Sequence, residues 1–218
     1  MAEPARPDNM LTSQSNDFTE SIIEVRAHGR YLSRLIDDAS ATLIGFHVYE
    51  ENAERNFAEL IRIPGIARWS VIAVQALHSF YVPKTGEVVA SWMTKLNRDE
   101  AIADNLDYVR RVVAAVSPRR PLVFVGFSQG AAMAYRAAAA IESDAVIVLG
   151  GDLPPDVDAA NLPRTLVGRG IRDEWYTAEK LEKDLSFLPG AATVVSDGAH
   201  EWTDEFRAAA GEFLRSAF

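Results

Sequence analysis

The sequence predicts an α/β fold, a mostly parallel central sheet covered by helices on both faces. Three observations predict it. From residue 41 onward, short apolar β-favouring runs alternate with segments of helical period. Two of the runs, LVFV at 122–125 and AVIVL at 145–149, contain no polar alternation, as strands buried on both faces require. No internal repeat and no Gly/Ser-rich linker interrupts the chain, so residues 21–218 read as one domain. Residues 1–20 are polar and punctuated by Pro4 and Pro7, which predicts a disordered lead-in without the apolar stretch of a secretory signal.

Each element follows from its local pattern. Ile22–Val25 and Tyr31–Leu35 flank His28-Gly29-Arg30 and predict an N-terminal β-hairpin. The apolar run 41–46 predicts a buried strand entering a loop at His47. Ala53, Phe57, Leu60 and Ile61 fall at helical spacing. Residues 70–77 predict another strand, followed by a long polar and aromatic loop through Trp92. Ala101, Ile102, Leu106, Val109, Val112 and Val113 place a helix over 99–116, and Pro118 lies where its stop is expected. LVFV then leads into an alanine-rich helix over 130–141, and AVIVL is the next strand. A short strand at 165–167, a helix at 177–188, a last strand at 192–195 and a closing helix at 202–217 complete the order.

Composition excludes several classes of function. The chain has no cysteine, so a thiol nucleophile, a disulfide scaffold and a cysteine-ligated metal centre are ruled out. A net charge of −9 argues against nucleic-acid binding through a basic face. No apolar run approaches a membrane span, and neither an HExxH motif nor a carboxylate cluster suggests a metal. Gly168-Arg169-Gly170 is too short a fragment to suggest a dinucleotide site.

Chemistry enters at Gly126-Phe127-Ser128-Gln129-Gly130. This is GxSxG between a buried strand and a helix, the context in which a tight turn lifts a serine hydroxyl above the sheet. Ser128 is the candidate nucleophile. The Gln129 backbone N–H, at a helix N-terminus, is a candidate donor to developing negative charge. A serine hydroxyl needs a base, and the base needs an orienting carboxylate. Of the four histidines only His200 follows Ser128, in a loop before the closing helix. Two carboxylates lie just beyond strand ends in the window between them, Asp173 and Asp152. Asp173 is favoured because the strand after the following helix delivers His200.

The segments GFHVYEENAE at 45–54, GFSQGAAMAY at 126–135, GRGIRDEWYT at 168–177 and DGAHEW at 197–202 resemble the phospholipase/carboxylesterase family of small α/β-hydrolases, which includes acyl-protein thioesterases. The resemblance covers roughly residues 41–218. It implies an α/β-hydrolase fold without a large cap domain and a cytoplasmic, monomeric or dimeric serine hydrolase that needs no cofactor. Its implied substrate is a small-molecule ester, cleaved by a triad of Ser128, Asp173 and His200. Acyl-thioester or lysophospholipid hydrolysis by the same machinery is the alternative.

The family usually carries His-Gly-x-Gly after its first buried strand, and this chain reads His47-Val48-Tyr49-Glu50. Both glycine positions are filled. That departure is the one feature favouring an impaired, binding-only hydrolase relative. A β-branched Val48 is expected to keep negative φ, which makes the Tyr49 backbone N–H the second oxyanion donor. His47 either shapes this loop or is a plain core histidine. Trp92, Trp175 and Trp202 line an apolar acyl or alcohol pocket in one reading and pack the core in the other.

Overall fold

The computed structural model describes residues 19–218. All but the last two residues of the lead-in expected to be disordered lie outside the described residues. A seven-stranded sheet forms the centre, in the order β1 (Arg30–Arg34), β3 (Ser70–Gln75), β2 (Thr42–Phe46), β6 (Leu122–Phe127), β7 (Ala145–Leu149), β8 (Arg164–Gly170) and β9 (Ala192–Ser196). Every neighbouring pair is parallel except β1 with β3. A separate antiparallel pair, β4 (His78–Tyr81) and β5 (Val88–Ser91), stands beside it.

Helices cover both faces, as alternate strand residues demand. Ile44, Phe46, Ile72, Val74, Phe124 and Val146 face one core, closed by α2 (Arg98–Val116), α3 (Gln129–Ala140) and α4 (Ala178–Phe187). Leu43, Val71, Val123, Val125 and Ile147 face the other, closed by α1 (Ala53–Leu60) and α5 (Asp204–Ala217). Side chains of the helix caps fix several entries. Asn52 accepts from the Arg55 N–H, Thr177 from that of Lys180 and Thr203 from that of Phe206. The Thr203 cap is why the closing helix starts at Asp204 rather than at Trp202.

The N-terminal hairpin is realised differently from expectation. Only its second segment becomes a strand, β1, and it pairs with β3. Residues 22–25 form no strand, and Ile23 and Val25 are exposed. The turn is prevented by packing: Gly29 lies flat on Tyr108, so close that a Cβ there would sit 2.1 Å from the ring. The Tyr108 hydroxyl donates to the Arg30 carbonyl at 2.6 Å. The segment through Trp92, expected to be a long loop, is the β4–β5 hairpin, closed by the Val82 N–H on the Glu87 carbonyl at 2.9 Å.

The order of strands sets where a site can form. From β2 the chain moves outward to β3, and from β6 it moves in the opposite direction to β7, β8 and β9. The carboxyl ends of β2 and β6, paired at Phe46 and Gly126, therefore flank the switch point of the sheet, where crevices open in such folds.

Candidate active site

Ser128 alone separates β6 from α3. Its φ of 55° and ψ of −115° lie outside the regions an L-residue ordinarily occupies, a cost of order 1–3 kcal/mol. The turn is held on both sides. The Ser128 N–H donates to the Leu149 carbonyl at 2.8 Å, and the Ser128 carbonyl accepts from Ala131 at 2.9 Å. It closes only because two glycines let backbone meet backbone. A Cβ on Gly126 would sit 2.1 Å from the Gly130 carbonyl oxygen, and one on Gly130 would sit 2.2 Å from that of Phe46.

Asp173 and His200 meet across the ends of β8 and β9. The His200 Nδ1–H donates to Asp173 Oδ2 at 2.8 Å, and Asp173 Oδ1 accepts the backbone N–H groups of Trp175 and Tyr176, each at 2.9 Å. Their two loops are zipped together by Ile171 N–H to the Ser196 carbonyl and Arg172 N–H to that of Gly198, both 2.9 Å. The Asp173 carboxylate is buried, whereas the His200 ring is partly open and rests on Phe127 at a centroid distance of 4.8 Å. Asp152, by contrast, is exposed and paired with Lys180 at 3.1 Å.

Arg169, which sequence reasoning set aside in its GxG fragment, holds the acid loop from beneath. Its buried guanidinium donates to the Tyr176 carbonyl at 3.0 Å and to those of Ile171 and Asp173 at 3.4 Å. The Gln129 side chain was also missed. It accepts the Trp92 N–H at 2.8 Å and donates to the Met93 carbonyl at 2.8 Å, tying the β5 end to the start of α3. The GFSQG motif was the available signal, but its partners lay in a segment read as loop.

His47 is wholly buried, and it shapes the loop as well. Its Nε2 accepts the Ala76 N–H at 3.0 Å, so the proton sits on Nδ1, which donates to the Val48 carbonyl at 2.7 Å. The His47 carbonyl accepts the Trp92 indole N–H at 2.8 Å. Burial pulls the His47 imidazole down to about 4, which fixes it as a neutral strut rather than a base. Among residues 47–50 only Glu50 has positive φ, at 61°, so Val48 keeps an ordinary backbone and the strain falls on the second position where glycine was expected. The Glu50 N–H is spent on the Ala90 carbonyl at 3.1 Å. Neither the Tyr49 nor the Gln129 backbone N–H makes a hydrogen bond among the described residues.

The three tryptophans separate. Trp92 is fully buried against Phe46 and His47, and it is core. Trp202 packs edge-on against Phe127 and Phe206, supporting the platform under His200. Only Trp175, exposed, lines the cleft of about 340 Å³ that opens beside Ser128, together with Met93, Gly150 and Pro154. A larger hollow of about 500 Å³ near Asn52 and Gln75 touches neither Ser128, Asp173 nor His200.

Glu51 gives the loop a pH dependence. Its Oε2 is buried without a partner among the described residues, and burial pushes its carboxyl up to about 7, against the pull of the Val48 N–H and Arg55. The folded state thus favours the proton. Glu51 contributes stability that is full below about 4.5 and lost as pH rises through 7. His47 acts in the opposite sense, its contribution being lost as pH falls from 6.5 through 4. Glu51→Gln should therefore gain about 2 kcal/mol on the wild type between pH 5 and pH 8. Urea unfolding at the two pH values measures it, and an equal gap at both would assign the loss to another group.

No protein-family model matches the chain, and no curated protein matches it. Solved structures do. The esterase PE8 superimposes with a TM-score of 0.72 at 20% identity, over 89% of this chain and 100% of that one. TT1662 from Thermus thermophilus gives 0.66 at 19% identity over 88% and 98%, and Zea mays acyl-protein thioesterase 2 gives 0.68 at 14% over 87% and 99%. At these identities the likeness establishes the fold, that of an α/β-hydrolase. Among the described residues no helix is long and apolar enough to cross a membrane, and no group of three or more acidic or histidine side chains is placed to hold a metal ion.

Proposed function

We propose that this chain is a serine hydrolase that cleaves carboxylic esters through an acyl-enzyme. The observation that carries the reading is the His200–Asp173 hydrogen bond at the sheet end that also presents Ser128 in a strained strand-to-helix turn. His200 Nε2 takes the Ser128 proton as Oγ attacks the ester carbonyl. Asp173 keeps the imidazole proton on Nδ1 and stabilises the imidazolium that forms. The Gln129 and Tyr49 backbone N–H groups receive the oxyanion, each donor worth about 3 kcal/mol of barrier. His200 then returns its proton to the leaving alkoxide, and a water activated by the same base frees the acid.

The Gln129 side chain has a part in this. By gripping Trp92 and Met93 it fixes the peptide whose N–H serves the oxyanion, with no reorganisation left for the reaction itself. The cleft is open and of about 340 Å³, which suits short acyl groups. Thioesters pass through the same tetrahedral intermediate, and the likeness to an acyl-protein thioesterase keeps them in view. Turnover of p-nitrophenyl esters of increasing acyl length, run beside an acyl-CoA of matched length, tests the reading. The expectation is ester turnover that falls with acyl length. Turnover of the acyl-CoA alone would make the protein a thioesterase, and turnover of neither would overturn the proposal.

A further inference from the structure

The cleft beside Ser128 has an electrostatic character that the ester reading leaves unexplained. The chain carries a net charge of −9, yet this cleft is lined by Arg98, Arg136 and Lys180, with Asp152 the one carboxylate among its lining residues. Lys180 is committed to Asp152 and to the Trp175 carbonyl, at 3.1 and 2.9 Å. Asp156, at the edge, takes Nε and Nη2 of Arg136, each at 2.7 Å. Even with both carboxylates counted, a positive charge is left over.

Two of the cations have donors to spare. Among the described residues Arg136 Nη1 has only the Met93 sulfur, at 3.8 Å, although the Arg136 side chain is just 3% exposed. A buried guanidinium N–H facing a thioether is under-satisfied, and in the cleft the group able to satisfy it is a ligand oxygen. Arg98 makes no ion pair within 4 Å among the described residues, but it is near enough to help hold the Asp156 carboxyl below its ordinary range, after Arg136. Arg98 and Arg136 thus stand at one end of the cleft.

Spacing relates that end to the chemistry. Ser128 stands at the start of α3, and Ala132 and Arg136, four residues apart on one helix face, line the same cleft. From Gln129 to Arg136 α3 rises about 10 Å, and a helical side chain leans back toward the helix start. An anion held there sits several carbons from a carbonyl attacked by Ser128. Resting on the hydrolase reading above, we infer that the substrate is an ester carrying a carboxylate distal to the scissile bond, held by Arg98 and Arg136 Nη1.

Paired esters of similar size test this, with spontaneous hydrolysis subtracted. Mono-p-nitrophenyl adipate against p-nitrophenyl hexanoate places the charge on the acyl side, and 4-acetoxybenzoate against its methyl ester places it on the alcohol side. In at least one pair kcat/KM should favour the anion by about tenfold or more, the usual worth of a hydrogen bond to a charged group. Arg98→Gln should cut that ratio severalfold, Arg98→Glu should invert it, and added salt should weaken it. Arg98 is exposed on α2, so these variants keep the fold. Turnover of the neutral esters with no anion preference in either pair overturns this inference and leaves the hydrolase reading standing. If no ester is turned over, calorimetry of Ser128→Ala protein with monomethyl adipate and methyl hexanoate decides. Tighter binding of the anion supports the inference, and equal binding overturns it.

Discussion

Asp173→Asn should lower kcat for ester hydrolysis by about 10³–10⁴-fold with little change in KM. The reason is the division of labour between the two carboxylate oxygens. Oδ1 accepts two backbone N–H groups, from Trp175 and Tyr176, and Oδ2 accepts the His200 Nδ1–H. In the amide variant the NH₂ cannot face the two N–H donors, so it turns to His200 and donates to Nδ1. The imidazole proton then moves to Nε2, where it blocks uptake of the Ser128 proton. The loop itself survives, because the amide oxygen of the variant side chain keeps both backbone donors. Asp152→Asn is the comparison. Asp152 is exposed and tied to Lys180, so its loss should leave kcat within about tenfold. Steady-state kinetics on one short p-nitrophenyl ester measures both, and the reverse ranking would transfer the orienting role to Asp152.

Gly130→Ala should be nearly as damaging by a different route. The added Cβ falls 2.2 Å from the Phe46 carbonyl oxygen and 2.6 Å from that of His47, and these are backbone atoms rather than a flexible side chain that could yield. The start of α3 must move off the end of β2. Overpacking of this kind costs about 1–3 kcal/mol, and displacing a donor or nucleophile by roughly 1 Å costs about 10²-fold in rate. Gly190→Ala is the control, since among the described residues nothing beyond its chain neighbours would lie within 4 Å of the added Cβ. A Gly130→Ala protein that melts and turns over like the control would mean that the α3–β2 contact does not position the site.

Local patterns carried much of this fold. AVIVL at 145–149 is β7 to the residue, and LVFV is the heart of β6, because strands buried on both faces leave an unbroken apolar run. The placement of Ser128 and His200 was legible for a related reason: a strand-to-helix turn this tight needs glycine at fixed positions, and only one histidine follows it. What failed depended on distant partners. Ile22–Val25 has strand composition, but Tyr108 on α2 claims the turn that would have paired it. The β4–β5 hairpin was hidden by a polar turn through Pro83 and Gly86. Arg169 looked like part of a glycine fragment, and its purpose is visible only once three carbonyls of the acid loop converge on it. Arg136 lay unnoticed in an alanine-rich helix, because nothing local marks which helix face meets the cleft. At the loop after β2 the sequence expectation of a negative φ at Val48 agrees with the structure, while the positive φ at Glu50 was not foreseen.

Ser128 should behave as a nucleophile activated by His200. Incubation with a fluorophosphonate, followed by peptide mapping, tests it most directly, because the reagent reacts with an activated serine and needs no knowledge of the substrate. The expected result is a single adduct on the peptide carrying Ser128, its loss in Ser128→Ala, and strongly slowed labelling in His200→Ala. An adduct that survives Ser128→Ala, or a folded wild-type protein that takes up no label, would contradict it.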